Sequence, residues 1–225
     1  MSAERNIQVQ KKVLSENDQL ASKLRTEFAE RGILTLNLVS SPGSGKTSLL
    51  EATLGTLQPS LRIGVIAGDV QTDNDARRLQ AAGGTIVQAI TTGGACHLDA
   101  SMVTRATEQL DLEALDVLFI ENVGNLVCPS SWDLGEDAKV VLISCTEGDD
   151  KPLKYPAMFR RSSAMVINKI DLLGLSDFSL ETVKNNALSI NGELGIMELS
   201  CRSGKGLEAW FDWLHRSLKQ KRSGR

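Results

Sequence analysis

Ser40-Ser41-Pro42-Gly43-Ser44-Gly45-Lys46-Thr47 lies between two runs of different character. Before it, residues 33–39 (Ile-Leu-Thr-Leu-Asn-Leu-Val) predict a buried strand. After it, residues 48–54 predict a helix that stops near Gly55. Strand, Gly-rich turn, Gly-Lys-Thr and helix make a phosphate-binding loop. Backbone N–H groups of Gly43, Ser44, Gly45, Lys46, Thr47 and Ser48 point at a polyphosphate, where the helix dipole also favours negative charge. Lys46 reaches the β- and γ-phosphates, and the Thr47 hydroxyl ligates Mg²⁺. The strict pattern opens on Gly, and here Ser40 takes that position.

Short apolar runs then alternate with helical stretches. Strands are predicted at 62–67, 85–90, 117–120, 139–144, 164–167 and 196–199, with helices after residue 73, over 98–110 and over 206–219. The expected fold class is α/β, a mostly parallel sheet with helices on both faces. Upstream, residues 7–31 predict a helix on which Val13, Leu20, Leu24 and Phe28 recur at near-helical spacing, stopped by Gly32. Residues 1–32 thus read as a helix packed on the domain, with a partner-binding arm as the alternative, and 33–225 as the nucleotide-binding domain itself. The chain's 225 residues, 41% hydrophobic and 24% charged, suit one such domain. A net charge of -3 gives no nucleic-acid footprint. No run is long enough to span a membrane and no signal-peptide core is present, so a cytoplasmic protein is expected. Its four cysteines then read as thiols or metal ligands. The basic stretch 219–225 reads as a frayed helix end.

Functional loops belong at the carboxyl ends of the strands. Asn168-Lys169-Ile170-Asp171 ends one. The Asp171 carboxylate can accept both the N1–H and the 2-amino group of guanine, whereas adenine would leave it unpaired. Lys169 lays its stem over the ring, and Asn168 ties the loop to its neighbours. Ser200-Cys201-Arg202 fits a further loop closing over the base. Asp69 and Glu121 also end strands, and either can hold Mg²⁺ directly or through water. Glu121 begins Glu-x-x-Gly, so the Gly124 N–H can turn toward a γ-phosphate and release it after hydrolysis. Asp73 and Asp75 either orient the attacking water or serve as acids at a helix N-terminus. Lys46, Asp69, Asp75 and Glu121 are the candidate catalytic set. No residue stands out as an arginine finger.

Cys96-His97 lies in a Gly-rich loop before a helix, and Cys128 follows Glu121 closely. Thiolate and imidazole together suit Zn²⁺ or Ni²⁺. No Cys-x-x-Cys occurs. Two or three ligands make an open site, or half of one completed across a two-fold dimer. The alternative is a buried Cys, a capping His and an unrelated Cys. Cys145 and Cys201 read as structural.

These pieces together resemble the hydrogenase-maturation nickel GTPases of HypB type. The resemblance rests on residues 40–47, Gly68-Asp69, Gly93-Gly94-Ala95-Cys96-His97-Leu98, Glu121-Asn122-Val123-Gly124-Asn125-Leu126-Val127-Cys128-Pro129 and Asn168-Lys169-Ile170-Asp171. It implies a GTPase that uses GTP/GDP and Mg²⁺. It implies Cys96, His97 and Cys128 as ligands for Ni²⁺, with Zn²⁺ also able to bind, at the interface of a GTP-favoured homodimer. It implies delivery of nickel to a hydrogenase large subunit with a second nickel accessory protein. Some members store nickel on an N-terminal Cys- or His-rich segment, and here no Cys or His precedes Cys96. A urease-type nickel GTPase should carry Cys-Pro-His together, which this chain does not. A GTPase serving a cobalamin enzyme should need no thiolate–imidazole pair. A non-catalytic nickel buffer would leave Lys46, Thr47 and Asp171 without a task.

Overall fold

The computed structural model describes residues 3–58 and 60–224. Among them, seven strands form one parallel sheet in the order β3-β2-β4-β1-β5-β6-β7. The strands are β1 (Leu34–Ser40), β2 (Ile63–Asp69), β3 (Ile86–Thr91), β4 (Val117–Glu121), β5 (Ala138–Ser144), β6 (Ala164–Asn168) and β7 (Gly195–Glu198). The helices are α1 (Ala3–Arg31), α2 (Lys46–Leu57), α3 (Asn74–Ala81), α4 (Ala100–Thr107), α5 (Lys151–Lys154), α6 (Pro156–Arg160), α7 (Leu180–Ile190) and α8 (Leu207–Ser223).

The central strands are apolar on both sides because both faces are covered. On one face, Leu36 and Leu38 of β1 pack with Leu49 and Leu50 of α2, Leu79 of α3 and Trp210 of α8. On the other face lie two separate apolar clusters. One joins Ile33 and Ile120 to Ala21, Leu24 and Phe28 of α1 and Val103 of α4. The other joins Val39 and Val141 to Met158 and Phe159 of α6 and Val183 of α7. Since β1 sits between β4 and β5, the ends of these three strands meet where the phosphate loop begins.

Several expectations shift. Helix α2 runs through Gly55 to Leu57, because Leu54 and Leu57 are both core residues. Their burial outweighs the roughly 1 kcal/mol cost of a helical glycine. Helix α4 is shorter than 98–110, since Asp99 caps it by accepting the Met102 N–H at 2.8 Å. On α1, Val13 is exposed, so the apolar stripe narrows to the helix's second half. The basic end is not frayed. Helix α8 continues to Ser223, Lys221 Nζ pairs with Asp137 at 2.6 Å, and Arg222 Nη2 pairs with Asp116 at 2.5 Å. Arg225 lies outside the described residues. No described helix is long and apolar enough to cross a membrane.

Asp116, just before β4, locks the amino ends of the strands. It accepts from the Arg62 backbone N–H at 2.8 Å, from Arg62 Nε at 3.1 Å and Nη2 at 2.9 Å, and from Arg222. These Arg62 contacts, against partial burial, hold its carboxyl down at about 2. Its contribution is therefore fully present above the ordinary carboxylate range and fades as pH falls toward 2. Asp116→Asn should cost about 2 kcal/mol at pH 7. The deficit relative to wild type should shrink between pH 4 and pH 2, as denaturant melts at both ends of that range will show.

Candidate functional site

From Ser40 the chain turns through Gly43 (φ 76°) and Gly45 (φ 103°) into α2. Any Cβ on Gly45 would collide with the Asn168 side-chain amide. That amide donates to Ser44 O at 2.9 Å, while Asn168 Oδ1 accepts from the N–H groups of Lys169 (2.7 Å) and Cys201 (3.2 Å). One buried side chain thus joins the phosphate loop to both candidate base loops. Ser44 Oγ donates to Glu147 Oε1 at 2.6 Å, and Glu147 also accepts from Ser144 N–H and pairs with Lys151. Ser40, in place of the usual Gly, is the last residue of β1 and accepts from Lys46 Nζ at 3.0 Å.

A cleft of 500 Å³ opens over this loop, with Lys46, Thr47, Asp69, Asp75, Glu121 and Gly124 in its wall. Burial pulls Lys46 below its usual range, opposed first by the charge of Glu121. Glu121 is 2% exposed. Burial pushes its carboxyl up to about 7, against the pull of Lys46 and of Thr47, whose hydroxyl donates to Oε1 at 2.8 Å. Glu121 Oε2 is buried without a partner among the described residues. A threonine hydroxyl and a bare carboxylate oxygen beside a phosphate loop fit Mg²⁺, a cation of oxygen ligands. Asp69 Oδ1 accepts the N–H groups of Gln71 (2.9 Å) and Thr72 (2.8 Å), which hold its carboxyl low. Gly124 lies against Pro42, where a Cβ would come within 3.0 Å of the proline Cα. Asp73 stays outside this wall and pairs with Arg77 at 2.9 Å. Arg78 belongs to the wall, held by Glu51 at 2.8 Å and Asp75 at 3.3 Å.

A second cleft of 490 Å³ continues from the first, sharing Gly45, Ser48 and Lys169, and is walled by Asn168, Asp171, Cys201 and Arg202. Ser200 Oγ donates to Asp171 Oδ1 at 2.5 Å. Lys169 Nζ donates to Gly43 O at 2.7 Å, which draws its stem across the cleft mouth. Cys201 is a thiol whose burial pushes it up to about 11, and Cys145 is buried with Sγ donating to Lys169 O at 2.7 Å. Both thiols are thus parts of the base-loop framework.

The third constellation lies beyond β3 and β4. Cys96 Sγ is 2.9 Å from Cys128 Sγ and 3.6 Å from His97 Nδ1, and the three ligand atoms lie within 4.8 Å of one another. Cis ligands about 2.2 Å from a metal in a square plane sit about 3.1 Å apart, and tetrahedral ones about 3.6 Å apart. The observed spacings bracket those values, and two soft sulfurs with one imidazole suit nickel or zinc. Burial holds His97 low, in the neutral form a ligand needs, and Trp132 lies against it with ring centroids 4.5 Å apart and planes tilted by 36°. The neighbouring Cys128 thiol raises that of Cys96. A metal would displace that proton.

Glu147, Arg78 and Trp132 escaped the sequence reading. Glu147 meets Ser44 across 103 positions, and Arg78 meets Glu51 across 27. No local pattern announces such pairs.

Residues 34–198 match the family model described as "CobW/HypB/UreG, nucleotide-binding domain". The chain is similar to the hydrogenase maturation factor HypB of Rhizobium leguminosarum bv. viciae, at 52% identity over 98% of this chain and 74% of that protein. It is also similar to HypB from Helicobacter pylori, whose crystal structure is in complex with nickel. The TM-score there is 0.86 at 42% identity, covering 93% of this chain and 96% of that one. Against the crystal structure of HypB from Archaeoglobus fulgidus the TM-score is 0.84 at 40% identity, covering 91% and 99%.

Gly45→Ala should sever the Asn168–Ser44 tie and distort the turn. We expect mant-GDP affinity to fall at least about tenfold, a loss of roughly 1.4 kcal/mol, in a fluorescence titration.

Proposed function

Because this chain belongs to the CobW/HypB/UreG family, among its HypB hydrogenase maturation factors, we propose that it is a GTP-hydrolysing nickel metallochaperone. The observation that carries the reading is adjacency. The segment that starts at Glu121, bonded to Thr47, ends seven residues later at Cys128, beside Cys96 and His97. One stretch of chain thus joins the phosphate-loop threonine to the Cys96, His97 and Cys128 cluster.

Lys46 and the loop amides hold the β- and γ-phosphates, and Asp171 selects guanine. Thr47, Glu121 and Asp69 hold Mg²⁺, which supplies charge neutralisation to the phosphoryl oxygens when bound. Asp75 orients the attacking water. Water adds to the γ-phosphorus, the bond to the β-oxygen breaks, and GDP and phosphate leave. While the γ-phosphate is present, the Gly124 N–H turns toward it and the 121–128 segment is held in place. Two subunits pair in that state, with the Cys96, His97 and Cys128 sets at their interface. Hydrolysis releases the segment and changes the affinity for nickel, and by linkage nickel changes the affinity for GTP equally. Zn²⁺ can occupy the same ligands. The recipient is an immature hydrogenase large subunit, reached in the cytoplasm with a second nickel accessory protein. Residues 1–32 are an N-terminal segment preceding the 33–225 GTPase domain, and its described helix, α1 (Ala3–Arg31), packs on that domain.

Nickel titrations with a non-hydrolysable GTP analogue and with GDP, with mass measured alongside, test this. We expect different affinities in the two states, a dimer favoured by the analogue, and loss of the site in Cys128→Ala. Equal affinity and equal mass in both states would sink the switch. The base reading has its own test. Asp171→Asn offers a donor in place of one acceptor, so guanine nucleotides should lose about 100-fold in affinity while xanthine nucleotides, with a carbonyl at C2, gain.

A further inference from the structure

The Cys96, His97 and Cys128 side chains sit on two arms of chain, one following β3 and one following β4. Buried polar side chains outside the metal-ligand set tie these arms together twice. The first tie is Asn17 of α1. Its Oδ1 accepts from Ala100 N–H at 2.8 Å, and its Nδ2 donates to Asp133 O at 2.9 Å.

The second tie runs beneath the sheet. Asn122 Oδ1 accepts from the N–H groups of Leu98 (3.1 Å) and Val123 (3.0 Å), and its Nδ2 donates to Asn37 Oδ1 at 3.3 Å. Asn37 Nδ2 donates to Glu136 Oε1 at 3.0 Å, and Glu136 Oε2 accepts from Leu134 N–H at 2.7 Å. Lys139 pairs with Glu136 at 3.4 Å and donates to the carbonyls of Pro129 (3.0 Å) and Trp132 (3.1 Å). Asn37 and Lys139 are register partners on β1 and β5, so they share a face.

This polar seam lies on the β1 face that also bears Ile33 and Val39, members of the two separate apolar clusters. Burying amides and a lysine–carboxylate pair there costs free energy that an apolar seam would not, and a satisfied network of this kind contributes fixed geometry instead. Its ends say what is being fixed. One lies next to His97 and next to Glu121. The other lies next to Cys128 and at Trp132, whose ring packs tilted against His97.

We propose that Asn17 and the Asn122–Asn37–Glu136–Lys139 chain are positioning elements of the thiolate–imidazole site. They set the separation of its two arms and carry a movement of the 121–124 segment to both. The inference rests on the nickel-site reading above. It also makes α1 part of that site's frame, although Asn17 lies outside the 34–198 match to the family model.

The test titrates nickel chloride into wild type, Asn17→Ala, Asn37→Leu and Thr35→Val, each with the GTP analogue and with GDP. Equilibrium dialysis and tryptophan emission are the readouts. Trp210 and Trp213 stack on each other in and beside the opposite core cluster, so a nickel-dependent change reports Trp132. Thr35 is the control. It is buried on the same strand face, and its hydroxyl has no partner among the described residues. We expect the two asparagine variants to lose about tenfold or more in nickel affinity. The ratio between the two nucleotide states should collapse toward one, GDP affinity should stay within about twofold, and Thr35→Val should match wild type. Unchanged nickel affinity and an unchanged ratio in both asparagine variants overturn the proposal. Should Asn37→Leu fail to fold, Asn17→Ala decides alone, its fold verified by unchanged GDP affinity. Failure of the nickel-site reading has a separate signature, Cys128→Ala binding nickel as wild type does, and the positioning role falls with it.

Discussion

Glu121 is a carboxylate almost wholly withdrawn from water, and the carboxyl end of the sheet is arranged around that fact. One oxygen rests on Thr47 and the other has no partner. Lys46 supplies a compensating charge but is itself desolvated. A buried charge persists only where something balances it. A polyphosphate and a dication arriving together would balance both groups at once, the anion beside Lys46 and the cation beside Glu121. The strand order makes this possible, because β4 lies next to β1 and delivers Glu121 to the first turn of α2.

The sheet also explains why the phosphate loop and the Cys96, His97 and Cys128 cluster are neighbours. In a parallel sheet every strand ends on the same side, so the loops after β1, β2, β3 and β4 crowd one rim. The phosphate loop leaves β1, and the arms that bear Cys96, His97 and Cys128 leave β3 and β4. Few residues are then needed to pass from one to the other, and close packing at that rim, such as Gly124 on Pro42, lets a small displacement be felt at a distance.

Most of the fold was legible because its signals are local. Continuous apolar strands, a Gly-rich turn and Asn-Lys-x-Asp at a strand end are read within a few residues, and all seven predicted strands and the order of the main helices lie close to where they were expected. Helices α5 and α6 gave less signal, since each spans about one turn and carries a proline in it. The groupings at the site divide the same way. Cys96-His97 and Cys128 stood out by residue type. Glu147 on the phosphate loop, Trp132 on His97 and Arg222 on Asp116 depend on tertiary approach, which no window of sequence contains. The polar seam was least legible of all, since Asn37 sits within an otherwise strand-like run and looks like a minor interruption of it.

Lys169 is the one described non-glycine residue with positive φ, at 63°. A left-handed lysine stores on the order of 1 kcal/mol of backbone strain that glycine would release. The strain persists because the side chain has work there: its ammonium clasps Gly43 O and its stem closes the mouth of the base cleft. Glycine at this position would release that strain and lose the clasp on Gly43 O. Relief of backbone strain and retention of the bridge to the phosphate loop therefore pull this single residue in opposite directions, and a design that scored backbone geometry alone would discard the bridge.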